Sequence, residues 1–332
     1  MSRRVAVFGA TGAVGKEILT LLDKAPWRPE SVSAFASARS EVPSVDFGEK
    51  SISVEDAEDA SFDGFDAVFL AAPPSVAREL GERAIADGAL VVDLSGAFSA
   101  DEDVPVVAPW VNPEALRESP LRGIVQVPSG PALLVASVLG PLQRAGLYAS
   151  ASATVLVPAS AEGRGGIDEL SRQVVALFNN APPPRKVFEH GLAFDLLPQL
   201  GEVDANGWTE REARAMREVS AVIGARSPSV TLVGAPVFSG MSATIQIRLA
   251  EPATGDRLLR VLSDGGVQLP KQPGVRGLPR PRKVEGHPFA HVARLRPDPE
   301  GDGLHLWAVF DNRRTTAAAA VGAAGALRRA RQ

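Results

Sequence analysis

At 332 residues the chain is too long for one ordinary hydrophobic core, so two domains are expected. Hydrophobic residues make up 45% and charged residues 22%, a normal globular mix, and the formal net charge of −4 gives no reason to expect nucleic acid or an anionic membrane as a partner. Cysteine is absent, which excludes disulfides, thiolate metal sites and thiol nucleophiles together.

Arg3-Arg4 leads into the short apolar run Val5-Ala6-Val7-Phe8 rather than into the apolar core and cleavage site of an export signal. No apolar run is long enough to span a bilayer, and the expected location is the cytoplasm. Residues 5–8 predict a buried strand, and 12–22 predict a helix with Val14, Ile18, Leu19, Leu21 and Leu22 on its apolar side. Strands are predicted at 31–36, 65–72 and 89–94, with a helix from 75 to about 87. This alternation predicts a mostly parallel sheet covered by helices. From about 130 the rhythm changes. Helices are predicted at 132–144, 167–177 and 210–223, and strands at 151–157, 229–238 and 243–249, which suggests an α+β second domain. The Pro-, Gly- and Arg-rich stretch 270–281 predicts an irregular loop. The alanine-rich tail 317–331 predicts a helix, with Arg328, Arg329 and Arg331 suited to its C-terminal dipole.

Between the first strand and first helix lies Gly9-Ala10-Thr11-Gly12-Ala13-Val14-Gly15. Glycines at this junction let backbone NH groups approach a pyrophosphate at the positive helix N-terminus. The pattern alone is weak, but in this context it predicts a dinucleotide-type architecture. A tight turn that keeps the fold without binding a nucleotide is the alternative. NAD-preferring sites place an acid near the end of the second strand. Here Ser37, Arg39 and Ser40 supply donors and a cation instead, which suits the 2′-phosphate of NADP. His287 and His291 are four apart, but Pro288 argues against a helix presenting both on one face. Structural or surface roles are therefore expected for His190, His287, His291 and His305.

The chain resembles the aspartate-semialdehyde dehydrogenase family nearly end to end. The resemblance rests on VFGATGAVG at 7–15, ASARS at 36–40, DEDVPVVAPWVNPEAL at 101–116, GGIDEL at 165–170, LAFDLLP at 192–198, APVFSG at 235–240 and WAVFDNRR at 307–314. It implies an α/β chain. A Rossmann-type dinucleotide domain, 1–129, is completed by the C-terminal helix at 314–332. An α+β dehydrogenase-type domain, 130–313, bears catalytic residues and the contact of a homodimer. It also implies NADP, bound through Gly9, Thr11, Gly12, Ala13, Val14, Gly15, Ser37, Arg39 and Ser40, with Asn312 near the nicotinamide.

Family members use a cysteine nucleophile, a histidine base and arginines that hold the substrate's anionic groups. In this chain the nucleophile position falls on Gly130 and the base on Met241. The glutamine position falls near Val157, the carboxylate-binding arginine on Gly234 and the phosphate-binding arginine on Ser99. Leu94 replaces an asparagine, and Pro73-Pro74 stiffens a loop that passes the cofactor and removes two NH donors. Covalent acyl transfer needs an activated thiol or hydroxyl, and glycine has neither. The chain therefore looks like the Usg-like branch of the family, whose members also lack the cysteine, although those tend to keep the histidine that is Met241 here. The alternative is an NADP-dependent oxidoreductase that acts on an aldehyde or semialdehyde by direct hydride transfer. Ser129, Glu162 and Asp195 are then the acid/base candidates, although a turn or helix-cap role is the more ordinary reading of each.

Overall fold

A computed structural model describes all residues except 1–3, 39, 59, 118–119, 121, 272–274, 300 and 331–332. The chain divides into two compact units, residues 1–129 with 316–332, and residues 130–315.

The first unit is built on a seven-stranded sheet of β1 (Arg4–Phe8), β2 (Ser31–Ala36), β3 (Ser44–Phe47), β4 (Lys50–Asp56), β5 (Ala67–Leu70), β6 (Leu90–Asp93) and β7 (Ile124–Gln126). The spatial order is β3-β4-β2-β1-β5-β6-β7, parallel throughout except for the β3–β4 hairpin. Chain order reverses beside β1, which has β2 on one side and β5 on the other. The crevice at the carboxyl ends of such strands is where this architecture binds ligands. β5 and β6 are buried along their whole length, as strands covered on both faces must be. Phe8 stacks on Phe35 at 4.6 Å and on Phe62 at 5.4 Å in the core of this unit. Helix α1 (Ala13–Lys24) follows the glycine loop, and α2 (Pro74–Ala86) opens on Pro74, a residue suited to a first helical turn. The expected strand 65–72 is shorter at both ends, because the chain leaves the sheet after Leu70 to enter α2 through Pro73. The β3–β4 hairpin was not expected from the sequence. Its signal is the alternation that buries Val45 and Phe47, followed by Gly48 at φ +62°.

Helix α7 (Asn312–Ala330) starts five residues before the expected 317. Its alanines 317, 319, 320, 323 and 324 are all buried. Small residues are required here, since a Cβ on Gly325 would lie 2.2 Å from the Trp27 Nε1.

The second unit holds a five-stranded sheet ordered β11-β12-β10-β8-β9. Its strands are β8 (Tyr148–Val157), β9 (Ser229–Gly234), β10 (Met241–Leu249), β11 (His291–Pro297) and β12 (Gly303–Phe310). β8 and β9 are parallel and the other pairs antiparallel. Helix α3 (Gly130–Arg144), apolar on every side and buried from Ala132 to Leu142, packs on β8, β10 and β12 and against α5 (Glu210–Ile223) and α6 (Gly255–Asp264). α5 matches its expected bounds because both ends are coded locally: Thr209 and Glu212 form a capping box, and Gly224 closes the helix at φ +61°. Val230, Leu232, Ile245 and Ile247 are buried in this unit's own core. The opposite face of the sheet is polar, with Ser152, Thr231, Thr244, Gln246 and Arg248 exposed. The expected strand 229–238 stops at Gly234, and residues 235–240 become a loop held by Ala159 N–H to Val237 O (2.8 Å) and Ser160 N–H to Phe238 O (3.0 Å).

Helix α4 (Gly163–Phe178) fastens the segment after it with two buried polar side chains one turn apart. The Glu169 carboxylate accepts from the backbone NH groups of Lys186 (2.8 Å), Val187 (2.9 Å) and Phe188 (2.9 Å). The Gln173 side chain accepts from Leu192 and Ala193 and donates to Pro184 O. Burial alone would raise the Glu169 pKa, but these three NH groups and the charge of Arg172 outweigh it and hold the carboxyl below its ordinary value.

Candidate functional site

The glycine loop lies at the carboxyl end of β1. Gly9, at φ +75°, donates its NH to Phe35 O (2.9 Å), and a Cβ there would lie 2.3 Å from Ala71 O. A Cβ on Gly15 would lie 2.2 Å from Gly9 O. Both glycines are therefore demanded by the close approach of the loop to its own chain, whether or not a nucleotide is present. Gly12, Ala13 and Val14, half-buried, lead into α1, whose first NH groups have no carbonyl one turn back. The loop after β2 reaches the glycine loop: the Ser40 hydroxyl donates to Thr11 Oγ1 at 3.2 Å, and Ser40 N–H bonds Ser37 O at 2.8 Å. Thr11, Ser37 and Ser40 thus belong to one cradle. Arg39 lies outside the described residues. These residues fit a dinucleotide: small backbone at the helix start, hydroxyl donors at the end of β2, and no carboxylate from 36 to 40.

In the second unit the registers align the positions that the resemblance assigns to catalysis. Met241 pairs with Phe310. The next residue, Ser242, pairs with Leu156, so Met241 stands opposite Val157. Val157 pairs with Gly234, which bridges Leu197. One row across the sheet thus reads Phe310, Met241, Val157, Gly234, Leu197. Met241 (1% exposed) and Val157 are buried. Gly130 opens α3 against this row, and a Cβ built on it would lie 3.1 Å from Met241 Cε and 3.7 Å from Sδ. A Cβ on Gly234 would lie 3.1 Å from both Leu197 Cβ and Leu200 Cδ2. A side chain at the position the resemblance gives to the nucleophile would therefore press on Met241, and the space that an arginine at 234 would enter is lined by leucine. Nothing in this row ionises. The sequence did not foresee the part played by Leu197 and Leu200; LAFDLLP was legible as a landmark, but the bridge to Gly234 is a tertiary contact.

The other candidates have local occupations. Glu162 ends a 3-10 turn, Ala159–Glu162, and pairs with Arg211 at 2.6 Å. Asp195 is exposed and accepts from Leu196 N–H. Ser129 is the last residue before α3. Asn312 is buried; its Oδ1 accepts from Gly240 N–H at 3.0 Å and its amide is bonded to the Ser160 hydroxyl. In the first unit Ser99 sits in a turn bonded to Gly96 O. Arg78 and Arg122 lie over the neighbouring Phe98 ring, and both are committed to Asp101, at 2.6 and 2.7 Å.

His287 and His291 meet edge to face with ring centroids 5.1 Å apart, although no helix joins them. A turn achieves what Pro288 denies to a helix. Burial, with the charge of His287, pushes the His291 pKa down to about 4. Among the described residues no group of three or more His, Cys, Asp or Glu is placed to hold a metal ion.

A glycine-loop parallel-sheet unit, with a mixed-sheet unit whose candidate positions gather at strand ends, defines a dehydrogenase-type architecture. Residues 4–119 match the family profile described as semialdehyde dehydrogenase, NAD binding domain, and residues 139–315 the one described as semialdehyde dehydrogenase, dimerisation domain. The chain is 35% identical to a USG-1 protein homolog from Pseudomonas aeruginosa, over 95% of this chain and 94% of that one. The crystal structure of aspartate semialdehyde dehydrogenase II from Vibrio cholerae, complexed with ASA, is similar at a TM-score of 0.93 and 29% identity, covering 99% of both chains. A probable aspartate-semialdehyde dehydrogenase from Pseudomonas aeruginosa is similar at 0.89 and 33%, covering 98% of each. The chain belongs to the aspartate-semialdehyde dehydrogenase family, with a Usg-like relative among its matches.

Proposed function

We propose that this chain is a non-catalytic, Usg-like member of the family that binds NADP and self-associates as a homodimer. The observation that supports it most is the pairing of Gly130 with Met241, whose methyl lies 3.1 Å from where a Cβ on residue 130 would stand. The first position has no nucleophilic atom, and the second puts a thioether where a proton acceptor is needed. The apolar row supports the same reading, because a doubly anionic substrate entering it would meet no compensating cation. Direct hydride transfer gains no support from Glu162, which is occupied by Arg211, or from Asp195, which is exposed.

When bound, NADP would supply a hydride acceptor. Thr11, Gly12, Ala13 and Val14 would hold its pyrophosphate and Ser37, Arg39 and Ser40 its 2′-phosphate. Self-association is assigned to the second unit, in keeping with the dimerisation-domain match. The polar sheet face is a poor seam. A better one lies where Phe178 (77% exposed) meets Phe194 (67% exposed) at 5.8 Å, with Val175 and Leu196 exposed as well. Phe194 is held there at φ +63°, a costly conformation for an aromatic residue, at the end of the segment that Glu169 and Gln173 fasten.

The test is steady-state assay of the purified protein with aspartate semialdehyde, phosphate and NADP, alongside calorimetry with NADP and NAD. The expected result is no turnover, with NADP bound more tightly than NAD and selectively weakened by Arg39→Ala. Turnover at ordinary enzyme rates of about 1–10³ s⁻¹ overturns the non-catalytic reading, and tighter NAD binding overturns the cofactor assignment.

A further inference from the structure

Residues 179–209 join α4 to α5 without a helix or a named strand of their own. Pro182-Pro183-Pro184 withholds NH donors at the start of this segment. The stretch from 184 to 197, a strap across α4, must therefore satisfy its backbone away from any ladder. It does so on one helix face. The Glu169 carboxylate accepts from the NH groups of Lys186, Val187 and Phe188, and also from the Gln173 side-chain amide at 3.2 Å. Gln173 Oε1 accepts from Leu192 N–H (2.7 Å) and Ala193 N–H (3.0 Å), while its Nε2 donates to Pro184 O (2.8 Å). Each limb of the strap thus hangs on one buried side chain, and the two side chains bond each other. Removing either leaves backbone donors without an acceptor.

The strap's apolar side chains sort to two sides. Phe188, Leu192 and Leu197 are buried with Ala159 and Leu170 in a small cluster of their own. Val187, Phe194 and Leu196 are exposed, and Phe194 meets Phe178 in the last turn of α4, where Val175 and Leu177 are exposed too. An inner cluster of this size is a weak tether, so the clamp decides whether the outward residues stand together. The left-handed backbone at Phe194 fits the same account, since an aromatic ring held strained and in water gains little within one copy.

We propose that the strap is an assembly element: the patch by which one copy binds a second exists only while Glu169 and Gln173 hold it, and the second copy in turn keeps the clamp closed. This deepens the homodimer reading given above and rests on it. The occupant is a second copy of this chain, because the profile described as a dimerisation domain spans α4 and the whole strap. A two-fold contact would set the Phe178–Phe194 pair against its own counterpart. A partner that binds only the docked strap favours docking by the same factor by which docking favours the partner.

The test compares the full-length parent with Glu169→Gln and Phe178→Asp, by sedimentation equilibrium and by hydrogen exchange read peptide by peptide. Glu169→Gln keeps the side chain's shape but turns an NH2 donor toward backbone donors. It is expected to raise the dimer Kd by about tenfold or more and to speed exchange of the 186–193 amides by about tenfold, with α5 and β10 at parent rates. Phe178→Asp leaves the clamp untouched, and in the resulting monomer the same amides are expected to exchange about tenfold faster than in the parent dimer. A Glu169→Gln dimer within about twofold of the parent Kd, or equal strap exchange in the Phe178→Asp monomer and the parent dimer, would overturn the inference and leave the homodimer reading standing. Loss of protection in α5 and β10 along with the strap would overturn it as well, since the strap would not then be a separate element. A parent chain that is monomeric at every concentration would overturn both.

Discussion

Replacing Gly130 with cysteine restores the atom that family chemistry uses, yet the structure predicts that it destabilises the protein. The new Cβ would stand 3.1 Å from Met241 Cε, whereas carbon pairs rest at about 3.5–4.0 Å. The methionine methyl must retreat by about half an ångström within a site that is 1% exposed. Overpacking of this kind costs about 1–3 kcal/mol. Removing a glycine from the start of α3 returns at most about 0.5–1 kcal/mol. The net expectation is a loss of about 0–2.5 kcal/mol. Met241→Ala alone should cost about 2–5 kcal/mol through the cavity it leaves. In the double variant each change relieves the other, so the pair should be more stable than the sum of the singles by about 1 kcal/mol or more. Urea unfolding of the four proteins closes the cycle. Additivity to within about 0.5 kcal/mol, or a stabilised single Gly130→Cys, would refute the contact as the reason position 130 is glycine. The single variant should also show no turnover in the semialdehyde assay.

Glu169→Ala, which strands three backbone NH groups, should lower stability by about 3 kcal/mol, read from the unfolding midpoint. Because the folded pKa of Glu169 is depressed, its contribution is complete above the ordinary value of 4.5 and is lost as pH falls through the folded value; Glu169→Gln should remove that acid dependence. His291 titrates in the folded protein near 4 rather than 6.5, so the unfolded chain gains a proton first, and stability should decline as pH falls through that window; a parent and a His291→Asn variant with parallel pH profiles would contradict this. Phe178→Asp and Phe194→Asp should each convert a dimer to a 34.8 kDa monomer in sedimentation equilibrium, whereas Gln246→Glu on the sheet face should not. A dimer that survives both aspartates would move the seam elsewhere.

Much of the fold is written in local patterns. The 31–36 strand and the 210–223 helix were legible to the residue, and the helix ends at a capping box and a closing glycine. Strands β11 and β12 were not read. His291–Pro297 carries a register shift and Arg294 at φ +55°, which breaks the two-residue alternation, and in β12 the apolar Trp307 on the half-buried face blurs it. Helix α7 was legible as a helix but not as a close-packed one, because poly-alanine reads the same in either setting and only the approach of Trp27 tells them apart. At the candidate site the sequence names Gly130, Val157, Gly234 and Met241. Their alignment in one row is a matter of strand register, and the neighbours that fill the row, Leu197 and Leu200, come from a segment with no local mark of that role.

That row has a consequence for how the chain could change. Its members are neighbours, so none can be altered in isolation. A histidine at 241 alone would be walled in by Phe310 and Val157. An arginine at 234 alone would bring a charge against Leu197 and Leu200. Every one-step path toward an anion-binding centre therefore crosses a less stable protein. The row acts as a latch: no member opens until its neighbours have moved, so charged side chains can enter it only through concerted change.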